Sequence, residues 1–578
     1  PGSRSRSPEP PMSERIDTRD MAWPARPWLM AALCAGAGLL FDLLADFSAT
    51  TPVGPLRQAA AAFVAVAAVS FVMTIEKRRW HWALGFALGW GLVVSLVGWF
   101  TARYNQVPQI FEFPFLSGIF AVLLAAPLFQ TVRDEGAWRF PYPRLHGHAW
   151  TDAVIGAASL AFVAVTFLLA TLISGLFGLI GIELVRELLR KEWFDWMLAG
   201  FAFGSAVGML RERDQLASTL QRLAMMVLGV LAPVLAAALA VFLLSLPFTG
   251  LGKLWQSQIP ATPLMLVAGA GAILLANAVI GNGRDERTTN RVLRLSALVL
   301  VLAVLPLAII AAASLGQRVG QYGWTPERIW GAVAVTVALV YGALGWWAVA
   351  KRRAQFDEAL RPLQVQLAIG LCATAFLLAL PILDFGAISA NSQIARLASG
   401  RTAPDKFDWK AMAFDFGPAG RQRLREIARS GSPDQRRLAA AALATKDRFK
   451  VETEIEARQS ESKLATQMRV VPTGAALSPE LRLAVAHTRF CRVARCVLVM
   501  AGPDRTIVAG ALIAKEPIET LTLVRDAQGK WDVDGAAPTP PAAKPAPAPD
   551  LATARVELRT VERRILVIDG KPVGAPFE

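Results

Sequence analysis

The chain alternates between long apolar runs and short polar segments. Eleven of the runs have the roughly 18 to 25 residues that an α-helix needs to cross the hydrocarbon core of a bilayer. They lie near residues 28–46, 57–75, 80–100, 113–132, 150–175, 193–210, 222–246, 261–281, 293–315, 329–350 and 363–383. The pattern predicts an α-helical polytopic membrane bundle of about eleven transmembrane helices over residues 28–383.

The amino-acid composition agrees with a membrane protein. Hydrophobic residues make up 54% of the 578 residues and charged residues only 18%, whereas about a quarter of the residues of a soluble globular chain are charged. This composition excludes a disordered chain and a coiled coil. With 4 Cys, it also excludes a small disulfide scaffold.

The cationic residues between the runs predict the orientation of the bundle. Alternate loops form two sets, of which one holds 22 Lys and Arg residues and the other 8. Because cationic loops stay on the cytoplasmic side, we expect the segment over 1–27 to be cytoplasmic, and we also expect it to be disordered. With an odd number of spans, everything after about Leu383 is predicted to lie across the membrane. The excess of cationic residues, a net charge of +15, is therefore explained by loops beside a lipid bilayer, which is the predicted partner. We exclude nucleic acid because the basic residues are not interleaved with aromatic ones.

The segment near residues 176–192 differs from the other loops. Apolar residues recur in it at helical spacing, and charged residues fill the other face. We expect an amphipathic helix lying in the outer interface of the membrane, with a gate or lateral lid as the alternative. The apolar residues are Phe177, Ile180, Leu184, Val185, Leu188 and Leu189, and the charged ones are Glu183, Arg186, Glu187, Arg190 and Lys191.

The tail after the last run is polar and predicts a smaller soluble α+β domain over residues 384–535. Two short helices are expected over 418–429 and 433–446, the second behind the cap residue Ser432. A charged helix is expected over 451–468. Strands are expected near 497–500, 506–508, 518–524 and 531–533, with a turn at 526–529. An Ala and Pro linker over 536–549 precedes a β-hairpin-like segment over 550–578.

The four cysteines fall into two groups. Cys34 and Cys372 lie inside apolar runs, where we interpret them as small apolar fillers. Cys491 and Cys496 lie five residues apart in the tail, on the side that the loop charges place in an oxidising compartment. We predict a possible disulfide between them, with two separate buried thiols as the alternative.

Motifs for enzymatic chemistry are missing from the sequence. It has no phosphate-binding Gly-rich loop with its Lys, no zinc-binding helix, no nucleophile elbow and no dinucleotide fingerprint. His146 and His148 could touch a metal, but we interpret them as part of a solvated loop. We therefore assign no catalytic residue, no metal site and no cofactor.

Polar residues and glycines inside the runs carry the remaining information. Asp152 begins one run and is expected to reach the membrane interface, while Asn277 and Tyr341 are expected to lie deep and to serve helix packing. Gly200, Gly204 and Gly208 repeat at intervals of four, which predicts close approach of a neighbouring backbone. Gly85 and Gly89 show the same spacing in the third run.

The last two apolar runs carry distinctive flanking residues. The stretch 321–328, with sequence QYGWTPER, leads into the first of them. After the second come Asp384, Phe385, Ser389, Asn391, Gln393, Arg396, Gly400, Phe407, Asp408, Phe414, Asp415 and Gly417. Over roughly residues 150–430 the chain resembles the bacterial polytopic membrane family called domain of unknown function 4153. The resemblance implies a protein of the bacterial cytoplasmic (inner) membrane, in which the loop charges predict a periplasmic tail. It implies no catalytic residues, because the family has no established activity.

Five polar residues are expected to gather where the membrane bundle joins the tail, namely Asp384, Asn391, Arg396, Asp408 and Asp415. A structural junction is the first interpretation of this group, and a ligand site is the alternative.

Three functions are compatible with the sequence. The first is a non-enzymatic envelope anchor or sensor that presents its periplasmic domain to an envelope protein partner. The second is a transporter or permease component whose bundle forms the path. The third is a membrane enzyme that acts on lipid-linked substrates through carboxylates such as Asp384 and Asp408.

Overall fold

A computed structural model describes most of the chain, and two compact units divide it at residues 385 and 386. The described residues are 23–46, 53–77, 79–104, 113–250, 252, 260–282, 288–445, 448, 464, 467–488, 495–510, 519–526, 529–533, 564–568 and 571–577.

The first unit is a bundle of long apolar helices. Within the described residues eleven helices are long and apolar enough to cross a membrane, which confirms the predicted polytopic bundle. They are α1 (Arg26–Ala45), α2 (Pro55–Thr74), α3 (Trp80–Tyr104), α4 (Phe113–Glu135), α5 (Tyr142–Leu179), α7 (Glu192–Glu212), α8 (Asp214–Thr249), α9 (Ala261–Ile280), α10 (Arg291–Tyr322), α11 (Pro326–Arg352) and α12 (Phe356–Ala379). The remaining helix of this unit, α6 (Leu184–Leu188), has only five residues.

Helix α5 begins earlier than its apolar run. The run predicts a start near residue 150, but the helix starts at Tyr142 behind Pro141. His146 and His148 therefore lie on a helix, and the interpretation as a solvated loop is wrong, since His146 is 9% exposed. Proline before the first turn favours this start because its fixed φ suits the entry of a helix.

The segment over 176–192 is not one amphipathic helix. Helix α5 continues to Leu179, and Gly181 then adopts a φ of +79°, a left-handed conformation that ends helices and that glycine adopts without steric cost. The backbone amide of Ile182 donates to the carbonyl of Phe177 across this turn. Only α6 is helical between α5 and α7, and its location at the membrane interface stays a prediction.

The two largest hydrophobic cores of the described bundle lie in different parts of it, beside a third one around Val94. The larger one surrounds α10, whose Leu300, Val304 and Leu307 are almost fully buried against α8, α9, α11 and α12. The smaller one joins α1, α2, α3, α5 and α7 around Val72 and Val207.

Glycines bring α1 and α7 into backbone contact. A methyl group added at Gly200 would overlap the carbonyl of Cys34, one at Gly204 that of Met30, and one at Gly208 would press on Pro27. The same addition at Gly85 or Gly89 would meet nothing within 4 Å. Equal spacing therefore produces close packing in α7 but not in α3.

The second unit begins with four short helices around their own core. They are α13 (Phe385–Ala398), α14 (Trp409–Phe414), α15 (Gly417–Ser430) and α16 (Pro433–Ala444). Trp409, Met412 and Leu424 are buried in this core. Ser432 and Gln435 form a capping box at the start of α16, which stabilises the turn between α15 and α16.

A five-stranded sheet follows, as the α+β prediction requires. The strands are β1 (Met468–Val471), β2 (Cys496–Met500), β3 (Arg505–Gly510), β4 (Glu519–Arg525) and β5 (Trp531–Val533), and they lie in that order. β1 is parallel to β2, and the other neighbours are antiparallel. Helix α17 (Pro479–His487) connects β1 with β2 and packs Leu481 and Val485 into the core of the sheet.

A two-stranded hairpin ends the described chain. It pairs β6 (Arg564–Ile568) with β7 (Lys571–Phe577), inside the segment predicted to be hairpin-like. Residues 1–22, most of the predicted helix over 451–468 and the linker over 536–549 lie outside the described residues.

Candidate functional site

The candidate site is a group of buried and half-buried ionisable residues at one end of the bundle, which we call the ion-pair cluster: Arg26, Glu76, Arg133, Asp134, His148, Asp152 and Arg211. The end of α2, the end of α4, the start of α5 and the end of α7 contribute to it, together with the start of α1. In the predicted orientation this is the cytoplasmic end.

Arg133 is the most deeply buried member of the cluster. Its side chain is 1% exposed and forms ion pairs with Glu76 and with Asp134, the latter at 2.9 Å. It also donates a hydrogen bond to the carbonyl of Thr74. A guanidinium has five N–H donors in a fixed plane, so this one side chain joins the last turn of α4 to the chain that leaves α2.

Asp152 and Arg211 form the second buried pair. Their side chains are 14% and 10% exposed, and Arg211 Nη2 donates to Asp152 Oδ1 at 2.8 Å. Gln130 donates to the other oxygen, Oδ2, at 2.6 Å. Asp152 therefore has its partners inside the bundle, on α4 and α7, and its expected reach to the membrane interface stays a prediction.

His148 and Arg26 complete the cluster. His148 Nε2 lies 3.0 Å from Asp134 Oδ2, which links the start of α5 to the end of α4. Arg26 is 5% exposed and donates to the carbonyls of Ile75 at 2.7 Å and Arg211 at 3.3 Å.

The burial of these charges has a clear energetic consequence. A charge that is removed from water costs several kcal/mol unless an opposite charge and hydrogen bonds compensate it. Arg133 and Asp152 each have such compensation from more than one helix. The arrangement therefore favours the assembled position of the helix ends over any in which they separate.

A second polar group lies among α9, α11 and α12, and we call it the amide cluster: Asn277, Tyr341 and Gln364. The Gln364 side-chain amide donates to Asn277 Oδ1 and to Tyr341 Oη, the latter at 2.8 Å. Asn277 and Tyr341 thus serve contacts between helices, while Gln364 was not singled out from the sequence.

Polar residues of α5 and α12 lie beside the amide cluster. Tyr142 Oη lies 3.0 Å from His146 Nδ1, and Arg361 pairs with Asp357 at 3.2 Å and donates to the carbonyl of Ile280. The other ring nitrogen of His146, Nε2, is buried without a hydrogen-bond partner among the described residues. A small pocket of about 20 Å³ lies next to Asp357, large enough for one water molecule.

Four residues of the predicted junction have described contacts within the second unit, and the gathering of all five stays a prediction. Asp384 belongs to the first unit and the other four to the second. Asn391 Oδ1 accepts two hydrogen bonds from Arg423, and Asp408 Oδ1 accepts from the amide of Ala411 and so caps α14. Asp415 and Arg448 form a two-pronged pair, at 3.0 Å for each bond, and the amide of Thr402 donates a hydrogen bond to the carbonyl of Arg396.

Of the two cysteines in the predicted disulfide, the structure describes Cys496 but not Cys491. Cys496 is buried at the first position of β2 and carries no free thiol, whereas Cys34 and Cys372 do. Cys491 lies outside the described residues, so its pairing with Cys496 stays a prediction. Among the described residues no three His, Cys, Asp or Glu side chains come together as a metal site.

The family described as Domain of unknown function (DUF4153) matches residues 60–424 of the chain. The chain belongs to this family. The match confirms the resemblance and begins earlier than the expected residue 150. A comparison with curated proteins found no match, and neither did a comparison with solved structures.

The DUF4153 region contains most of the candidate site. Six members of the ion-pair cluster and the whole amide cluster lie inside it, whereas Arg26, the five-stranded sheet and both tail cysteines lie outside. Glu76, Arg133, Arg211 and Gln364 were missed because each lies at the edge of an apolar run or close to a loop. A usable signal was present, since Asp152 and Arg211 stand close to the same membrane face on adjacent runs, where opposite charges can pair.

Proposed function

We propose that this DUF4153 protein is an integral protein of the bacterial cytoplasmic membrane whose helical bundle is a static anchor. The anchor presents the C-terminal α+β unit in the periplasm, where that unit binds an envelope protein. The observation that carries the proposal is the ion-pair cluster, because it ties five helices together at one membrane face.

The cluster supports an anchor rather than a moving bundle. Alternating access requires parts of a bundle to separate in turn at each face of the membrane. Separation at this face would break the pairs of Arg133 with Glu76 and of Asp152 with Arg211, and each charge would lose the partner that compensates its burial. The close backbone contact of α1 with α7 through Gly200 and Gly204 opposes separation of that helix pair as well.

Hydrogen exchange tests whether this face opens. The full chain in lipid nanodiscs is exchanged into D₂O, and peptides covering residues 70–76 and 127–135 are analysed by mass spectrometry. A static anchor gives a single, slowly exchanging population in both peptides at all times. Two resolved populations in these peptides, or fast exchange of both, would contradict the anchor.

Reporter fusions test the proposed sidedness. Alkaline phosphatase, which is active only outside the cytoplasm, and green fluorescent protein, which folds inside, are each fused after residue 578. Phosphatase activity without fluorescence is expected from the distribution of cationic loops. Fluorescence without phosphatase activity would place the α+β unit in the cytoplasm.

A permease component is the second candidate, and the amide cluster favours it. Amide and hydroxyl groups at this position can bind a polar solute, and His146 Nε2 next to them is buried without a described partner. Gln364→Leu would then abolish uptake of the solute by cells, whereas in a static anchor it weakens only the contacts of α12. The control is Gln58→Leu, because among the described residues Gln58 donates to the carbonyl of Val53, near the start of α2 and outside the amide cluster.

A further inference from the structure

Helix α15 in the second unit carries a regular row of arginines on one face. Arg421, Arg425 and Arg429 follow each other at intervals of four residues, so their side chains lie one above the other on the helix. Arg425 and Arg429 are exposed, and Arg421 is half-buried with its guanidinium 5.8 Å from the ring centre of Phe414. We call these three residues the arginine row.

The opposite face of α15 is fixed in the core of the unit. Leu424 is fully buried, and a methyl group at Gly420 would overlap the carbonyl of Met412 in α14. The helix therefore cannot turn the arginine row inward. Because that apolar face is already covered, α15 cannot insert into a bilayer as an amphipathic helix does, and only its charge is available for binding.

The row has charge that the described protein does not neutralise. Like charges four residues apart destabilise a helix, and the row contains two such pairs. No carboxylate among the described residues pairs with Arg425 or Arg429. The neighbouring Arg423 is different, since it binds Glu426 at 2.7 Å and Asn391 at 2.8 Å. The hydrogen bond from Arg423 lowers the pKa of Glu426 and so keeps that carboxylate ionised.

We propose that the arginine row binds the phosphates of anionic lipid headgroups at the membrane surface. Guanidinium groups bind phosphate oxygens through two parallel hydrogen bonds, so the chemistry of the row matches such a surface. The chain leaves α12 at Ala379 and reaches Arg421 through only two short helices and their connections. That short tether holds the row at a high local concentration near the headgroups.

The contact would orient the C-terminal unit without involving any apolar insertion. It goes beyond the anchor function and does not depend on which side of the membrane the unit occupies. It also predicts strong salt dependence, because exposed charges are screened at high ionic strength.

Hydrogen exchange of α15 in two kinds of nanodisc tests the proposal. The full chain is placed in discs of phosphatidylcholine alone and in discs with roughly a third phosphatidylglycerol. We expect exchange over residues 417–430 to be slower in the anionic discs, by about fivefold for each arginine engaged. The slowing should disappear at about 0.5 M NaCl, where the Debye length is only a few Å.

Two variants on the same helix provide the comparison. Arg425→Gln with Arg429→Gln should remove the slowing, whereas Arg423→Gln should keep it because Arg423 is already paired. Unchanged exchange of α17 in both variants shows that the unit remains folded. Equal exchange in the two discs, or slowing that survives in the double variant, would overturn the proposal. So would slowing in neutral discs on addition of inorganic phosphate or polyglutamate, which would assign the row to a free anion or an acidic protein.

Discussion

At the residue scale, Arg133 illustrates how a cation near a loop becomes part of the interior. In the sequence it contributes to the charge difference between the two sets of loops. In the folded bundle it is 1% exposed and contacts Glu76, Asp134 and the carbonyl of Thr74. Its removal would leave two carboxylates close together without their shared cation.

Arg133→Ala should therefore destabilise the bundle strongly. The two carboxylates left behind are half-buried, with side chains 30% and 27% exposed, so we expect a cost of about 1 to 3 kcal/mol, below that of a fully buried pair. We expect a clear fall in the midpoint of thermal unfolding of the full chain in detergent, followed by fluorescence-detected gel filtration.

The matched control is Arg144→Ala on the adjacent helix. Arg144 pairs with Glu135 at 2.8 Å, but its side chain is 52% exposed, and such surface pairs contribute about 0 to 1 kcal/mol. Equal losses in the two variants would show that Arg133 is not held as the structure indicates.

The sequence pointed to individual polar residues but not to their partners. Asp152, Asn277 and Tyr341 stand out because they interrupt apolar runs. Their partners Arg211 and Gln364 come from distant parts of the chain. Each lies at the edge of an apolar run, where the sequence does not distinguish it from an ordinary loop or helix-end residue. Pairing across helices depends on which runs become neighbours, and hydropathy alone does not contain that information.

At the element scale, helix ends differ from the apolar runs wherever tertiary contacts satisfy polar groups. Helix α5 extends back to Tyr142, where His148 pairs with Asp134 of α4 and Tyr142 lies 3.0 Å from His146 on the same helix, so a polar stretch remains helical. Helix α17 was missed although Ser478 and Pro479 repeat the cap signature that revealed α16. Ser478 accepts from the amide of Leu481, the same type of cap as at Ser432. That helix was detectable from local sequence, and the start of α5 had a proline signal that the apolar run alone does not show.

Glycines that share a spacing allow an element-scale prediction. Ala is about 1 kcal/mol better than Gly in a helix interior, so Gly85→Ala in α3 should be neutral or slightly stabilising. Gly204→Ala in α7 should destabilise by about 1 to 3 kcal/mol, because the new methyl group would overlap the carbonyl of Met30. Thermal unfolding midpoints of the two variants measure the difference. A Gly204→Ala protein as stable as Gly85→Ala would mean that α1 and α7 do not pack through their backbones.

At the scale of the whole molecule, some cationic residues that the sequence assigns to loops are buried in the bundle. The difference in cationic residues between the two sets of loops remains without them. Arg26, Arg133, Arg211 and Arg361 belong to the richer set of loops by sequence, yet their side chains are buried in the bundle. Without these four, that set still has more than twice the cationic residues of the other. The predicted orientation therefore does not depend on the buried cations alone.

Counting free thiols tests the orientation independently of any fusion protein. Cells are quenched in acid, and the denatured chain is labelled with a maleimide that adds mass at each free thiol. Of the 4 Cys, Cys34 and Cys372 are free in the structure. If Cys491 and Cys496 are joined in an oxidising compartment, the chain takes two labels without reductant and four after reduction.

The variant Cys491→Ser distinguishes this pairing from thiols that merely resist labelling. It leaves Cys496 without its predicted partner, so it should take three labels both before and after reduction. A wild-type chain that takes four labels without reductant has reduced cysteines in its tail, as expected of a domain in the reducing cytoplasm. That result would reverse the proposed sidedness. It would leave the ion-pair cluster and the arginine row intact, because the first depends on contacts inside the first unit and the second on contacts inside the second unit.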